Sequence, residues 1–191
     1  MMNPIHFNPE TTAVIAIDLQ KGIVNLKGRP YTGNSVILQS TKLIEGFRKK
    51  GALIVYVRVD FIDSKDALKP LTDQNMAQAN RPKDWAELVP ELDVQPGDLI
   101  ITKRQWGAFF GTELDLQLRR RGIDTIVLCG IATNIGVETT AREAFQYGYQ
   151  QVFAADAMTA FSEEEHNHSI QYIFSRIGRN RTTKEILDDL K

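Results

Sequence analysis

The sequence predicts an α/β protein, a three-layer α/β/α sandwich on a mostly parallel sheet of about six strands, and three observations carry that prediction. Several apolar runs of strand length, such as Thr12–Ile17, Leu53–Val59 and Thr125–Cys129, are near-continuous rather than alternating, as expected of central parallel strands buried on both faces. Between them apolar residues recur at helical spacing. Many of the runs also end in polar residues or a turn, at Asp18, Lys103 and Thr133–Gly136, which a parallel sheet gathers along one edge.

The elements follow in order. Thr12–Ile17 is the first strand and ends at Asp18. From Ser35 to Lys50, residues Val36, Leu38, Leu43, Ile44 and Phe47 mark a crossover helix, and Gly51 stands where its stop is expected. Leu53–Val59 is the second strand and Asp98–Lys103 the third. Between these two lie roughly forty residues without strong periodicity, including Asp60 to Trp85, and so long a loop reads as a lid or a partner surface. Thr112 to Arg121 is a helix with Leu114 and Leu118 on one face, Thr112 as N-cap, and Glu113 and Asp115 beside the positive end of its dipole. The fourth strand, Thr125–Cys129, breaks at Gly130 and re-emerges as a helix after Thr133-Asn134-Ile135-Gly136. Gln151–Asp156 is the fifth strand, Ser162 caps a helix from Glu163 to Phe174, Arg179–Arg181 is an edge strand, and a terminal helix starts at Thr183. This β-α alternation is that of a Rossmann-like sheet with right-handed crossovers.

With 191 residues, 42% hydrophobic and 25% charged, the chain suits one domain spanning residues 1–191. A net charge of -1 gives no field for polyanions, so neither nucleic acid nor an acidic membrane is an expected partner. One cysteine cannot form an internal disulfide, Met1 to His6 lacks the marks of a secretory leader, and no apolar run approaches the roughly 20 residues of a spanning helix. The expectation is a cytoplasmic protein acting on a small molecule.

Asp18, Lys103 and the 133–136 turn would converge at the carboxyl edge of the sheet. Burial raises a carboxylate's pKa and a neighbouring ammonium lowers it, so Asp18 beside Lys103 could be tuned to give or to take a proton. A strand-turn-helix aims backbone N–H groups at the same edge, where they can stabilise an anion.

These residues resemble the isochorismatase-like (cysteine hydrolase) family. Val14 to Gln20 reads Val-Ile-Ala-Ile-Asp-Leu-Gln, Lys103 to Thr112 reads Lys-Arg-Gln-Trp-Gly-Ala-Phe-Phe-Gly-Thr, and Val137 to Ala144 fits the family's Val-x-x-Thr-Ala-x-x-Ala helix. The resemblance implies a catalytic group of Asp18, Lys103 and the residue opening the helix. In the amidase branch that residue is a nucleophilic cysteine, but here it is Gly136, as in true isochorismatases, where the aspartate acts as general acid on an enol ether and water completes the hydrolysis. Ala132-Thr133-Asn134 is typical of the amidase branch, whereas isochorismatases carry Tyr-Ala-His, so the pocket is a hybrid. The resemblance further implies a cis peptide between Ile131 and Ala132, anion stabilisation by the amides of Ala132, Thr133, Asn134, Ile135 and Gly136, and a homo-oligomer. The expected function is hydrolysis of a small polar metabolite without a thiol, and the expected consequence of Asp18→Asn is loss of turnover at nearly unchanged thermal midpoint.

Plainer readings compete. Gly136 could mark a member that has lost its nucleophile and survives as a ligand-binding or scaffold protein. Trp106, Phe109 and Phe110 could wall a substrate pocket or pack a subunit interface. Lys103, Arg104 and Arg58 are the cations that could meet a substrate carboxylate. Cys129 lies within an apolar strand and reads as core. His166 and His168 point to different helix faces, and Asp60-Phe61-Ile62-Asp63 lacks the histidine of metal-dependent nicotinamidases, so neither metal nor cofactor is expected. Arg119–Arg121 reads as a solvated helix C-terminus. A nucleotide-binding protein is disfavoured because the first strand leads into Asp18-Leu19-Gln20-Lys21-Gly22 rather than a phosphate loop.

Overall fold

The computed structural model describes residues 4–63, 65–73 and 81–190. Strands β1 (Thr12–Ile17), β2 (Leu53–Val59), β3 (Leu99–Lys103), β4 (Thr125–Ile131), β5 (Gln150–Thr159) and β6 (Arg179–Arg181) form one sheet in the order β3-β2-β1-β4-β5-β6. Every neighbouring pair is parallel. From β1 the chain winds outward through β2 and β3, and from β4 through β5 and β6. The carboxyl ends of β1 and β4 therefore flank the switch point, where open α/β sheets hold their ligands.

The continuous apolar runs have the expected cause. In β1, Val14 and Ala16 face a core shared with helices α2 (Gly33–Lys49) and α7 (Thr183–Asp189), through Val36, Leu43, Phe47 and Ile186. Ala13, Ile15 and Ile17 face the opposite core, shared with α3 (Leu114–Arg120) and α4 (Glu138–Gln146) through Leu114, Leu118 and Ala141. Strand β4 divides the same way, with Val127 and Cys129 on one side and Ile126 and Leu128 on the other. Cys129 is fully buried, which pushes its thiol up to about 11 and leaves it an inert core residue.

Several boundaries differ from the sequence expectation. Strand β5 does not stop at Asp156: its pairing with β4 jumps from Leu128↔Phe153 to Gly130↔Met158. The intervening bulge turns the Asp156 carboxylate onto α7, where it accepts from the Thr183 amide (2.6 Å) and hydroxyl (2.8 Å). A short helix, α1 (Lys21–Val24), follows Asp18. Helix α3 opens at Leu114, and Thr112 serves it from one residue further out, accepting from the Leu114 amide at 3.1 Å. Ser162 does cap α5 (Glu163–His168), in a reciprocal box with Glu165, but the helix widens to a π turn over Ser169–Phe174 before α6 (Ser175–Ile177). Among the described residues no helix is long and apolar enough to cross a membrane.

Candidate active site

Asp18 leaves β1 with φ at 54°, a left-handed conformation rare outside glycine, while its amide donates to the Val57 carbonyl at 2.8 Å. That turn swings the carboxylate over the end of the sheet. Lys103 closes β3, two strands away, and its long side chain crosses the end of β2 to place Nζ 2.8 Å from Asp18 Oδ2. Both are buried, with side-chain exposures of 8% for Asp18 and 1% for Lys103. Lys103 Nζ also donates to the Trp106 carbonyl at 2.6 Å. Asp18 Oδ1 is buried with no protein partner among the described residues. Burial drives the Asp18 carboxyl up to about 6, against the pull of the Lys103 charge and hydrogen bond.

The turn after β4 forms the opposite wall. Gly130 sits at φ 124°, and a Cβ there would lie 2.0 Å from the Ile17 carbonyl oxygen, so only glycine lets β4 approach β1 so closely. The Ile131–Ala132 peptide is cis, as the family resemblance implied. The helix then opens as a π turn, Thr133–Val137, in which the Ile135 and Val137 amides both return to the Ala132 carbonyl, at 3.1 and 3.2 Å. The leading amides, those of Thr133 and Asn134, have no helical carbonyl behind them, as at the start of any helix. Thr140, on α4, donates to the Gly136 carbonyl (2.6 Å) and accepts from the Ala108 amide (3.1 Å), tying the turn to the loop after β3. A Cβ built on Gly136 would stand 3.0 Å from Asp18 Oδ2 and 3.2 Å from Lys103 Nζ. Position 136 thus faces the acid–ammonium pair directly, with no side chain of its own.

Above this floor opens a cavity of about 710 Å3. Of the residues expected from sequence, Asp18, Lys103, Gly136, Ala132, Ile135 and Trp106 line it. Phe109 does not: its ring is buried against Tyr147 and Tyr149 and its amide is held by Glu143 at 3.0 Å, so Phe110 lines the cavity in its place. The Thr133 side chain also turns away, its hydroxyl pairing with His166 Nδ1 at 2.9 Å in a buried contact where desolvation lowers the imidazole pKa. Asn134 is likewise outside the lining, with its Oδ1 buried and unpartnered among the described residues. His168, on another face, lies against Tyr172.

The sequence reading missed most of the walls. Phe61, Leu68 and Trp85 come from the long loop after β2, read only as a lid or partner surface; residues 64 and 74–80 of that loop lie outside the described residues. Gln20, fully buried, positions this loop: its amide accepts from the Val59 N–H (2.9 Å) and donates to the carbonyls of Val59 (3.0 Å) and Trp85 (3.1 Å). The Arg81 guanidinium carbon lies over the rings of both Phe61 and Trp85, 4.3 and 4.7 Å from their centroids. Arg104 is ion-paired to Asp66 at 2.9 Å, and Arg58 donates to Thr102 rather than lining the cavity. Among the described residues the lining of the cavity is largely apolar. A more open cleft of about 430 Å3 at the other end of the sheet offers no comparable group, since Arg48 there is held by Asp98 at 2.6 Å.

The Isochorismatase domain model matches residues 12–185 of this chain. The chain is 57% identical over 193 residues to the uncharacterized isochorismatase family protein YwoC of Bacillus subtilis, with 100% of each covered. It is 32% identical over 179 residues to the ureidoacrylate amidohydrolase RutB of Agrobacterium fabrum, covering 81% of this chain and 78% of that one. An isochorismatase family protein from Burkholderia thailandensis superposes with a TM-score of 0.93 at 41% identity, covering 98% of this chain and 99% of that one. With the fold, the acid–lysine pair and the turn all in place, the chain belongs to the isochorismatase family of hydrolases.

Proposed function

We propose that this protein hydrolyses a small molecule without a covalent intermediate, with Asp18 as general acid or base, Lys103 setting the charge of Asp18, and water as the nucleophile. The observation that carries the reading is the place of Gly136, whose missing Cβ would stand 3.0 Å from Asp18 Oδ2. A cysteine there would be the thiol for Asp18 to deprotonate; a glycine leaves Asp18 to act on water or on the leaving group instead. Asp18 Oδ1, buried and without a protein partner among the described residues, is the free acceptor for that proton. Of the amides expected to meet charge developing on the substrate carbonyl or enol oxygen, that of Ile135 is already given to the Ala132 carbonyl at 3.1 Å, which leaves the leading amides of Thr133 and Asn134 as the donors.

A scaffold role fits less well. A charged pair buried to this degree costs desolvation that apolar residues of similar size would avoid, and is more readily explained by chemistry than by stability. Exposed Ile62, Leu68, Trp106 and Phe110 support a homo-oligomer with this face partly covered, checked by light scattering. A buried free thiol accords with the cytoplasm.

The test is a panel of isochorismate, nicotinamide, N-carbamoyl amines and ureido acids, the last because a relative is a ureidoacrylate amidohydrolase. It is run on the natural sequence and on Gly136→Cys. Turnover by the natural sequence supports thiol-free hydrolysis; turnover by Gly136→Cys alone contradicts it.

A further inference from the structure

We propose that the substrate has an apolar body, an aryl or alkyl group of several carbons, with the scissile bond at one end. The position of the scissile bond rests on the function proposed above; the apolar body rests on the cavity alone. Ile23, Leu26, Phe61, Trp85, Trp106 and Phe161 supply its sides, while the acid–lysine pair and the turn occupy its floor.

Among the described lining residues, the charged groups away from the floor each have a partner. Arg104 is neutralised by Asp66 at 2.9 Å, and the Glu143 carboxylate is engaged by the Phe109 amide at 3.0 Å. The Arg81 charge lies against two aromatic rings, its guanidinium carbon 4.3 Å from the Phe61 centroid and 4.7 Å from that of Trp85. A hydroxylated metabolite would surrender its hydrogen bonds to water here and recover few of them. A methylene group gains instead, by about 0.8 kcal/mol or about fourfold in affinity for each one buried. The cavity of about 710 Å3 lined by the described residues has room for such a body.

Both tryptophans of the chain, Trp85 and Trp106, line the cavity, so two indole N–H signals in a 1H–15N spectrum report its occupancy without turnover. The probes are 2-butanone, 2-hexanone, 2-octanone and 4-phenyl-2-butanone, whose carbonyl stands in for the scissile one and offers no bond to hydrolyse. The expected result is affinity rising three- to fourfold per methylene, roughly a hundredfold from 2-butanone to 2-octanone, with the phenyl ketone near the top of the series. Leu26→Ser and Phe161→Ser alter half-exposed side chains; each is expected to keep the fold, checked by thermal melting, and to weaken 2-octanone about tenfold and 2-butanone little. Affinity independent of chain length, or a series untouched by both variants, overturns the proposal. The two readings fail separately: a silent substrate panel with an intact ketone series removes hydrolysis and keeps the apolar site, and a flat series beside an active panel does the reverse.

Discussion

Asp18 concentrates several costs in one residue. Its left-handed backbone carries a penalty of roughly 1–2 kcal/mol, its carboxylate is buried, and one carboxylate oxygen has no protein partner among the described residues. Such costs persist at sites where chemistry uses them. They also give a pH signature. The folded carboxyl titrates at about 6 against an ordinary value of 3.8, so between those values the folded state binds more protons than the unfolded. Its contribution is therefore fully present below pH 3.8 and is lost as pH rises through 6, a change on the order of 3 kcal/mol. Denaturant titrations should show the natural protein losing stability relative to Asp18→Asn across that window; parallel curves would contradict the buried acid. The expectation that Asp18→Asn leaves the midpoint unchanged needs correction, because the substitution strands a buried lysine. Breaking such a pair costs about 3–5 kcal/mol when one charge is left uncompensated. Asp18→Asn/Lys103→Met should accordingly be more stable than Asp18→Asn alone, a comparison thermal melting can make.

The strand–turn–helix from β4 to α4 needs close approach at one end and a brace at the other. Gly130→Ala would drive a Cβ to 2.0 Å from the Ile17 carbonyl, and a loss of about 3–5 kcal/mol is expected, read by denaturant unfolding. The Thr133–His166 contact ties the turn to α5, and Thr133→Val should cost about 1–3 kcal/mol by leaving a buried imidazole nitrogen unpaired. In a double-mutant cycle with His166→Leu the two losses should not add; additive losses would show that the contact carries nothing. At this scale the sequence was a good guide where burial alone decides. The runs of β1 and β4 are continuous because each strand packs against helices on both faces. It misled where a long-range hydrogen bond decides: Asp156 looked like a strand end, and its carboxylate is spent on α7. The π turns at Thr133–Val137 and Ser169–Phe174 leave no mark in an apolar pattern that fits a helix of either pitch.

Across the whole molecule, the sequence pointed to the residues that meet at the floor of the candidate site and not to those of its walls. Asp18 and Gly136 follow strands and Lys103 ends one, and parallel pairing at a switch point brings strand ends together whatever lies between them. Phe61 and Trp85 sit in a loop without periodicity, where no pattern says which side faces inward. Phe109 and Phe110 are neighbours of equal hydrophobicity, and only the aromatic contacts of Phe109 with Tyr147 and Tyr149 decide which one is buried. If the exposed apolar rim is an interface, light scattering should return a multiple of 21.6 kDa; a monomer would assign the rim to substrate alone. The most direct test of thiol-free hydrolysis is the pH profile of kcat/KM for whichever panel substrate turns over, measured on the natural sequence and on Asp18→Asn. An inflection near pH 6 is expected, falling at higher pH if Asp18 donates a proton and at lower pH if it accepts one, with at least a hundredfold loss in Asp18→Asn. Turnover that survives in Asp18→Asn with the same profile would contradict the account.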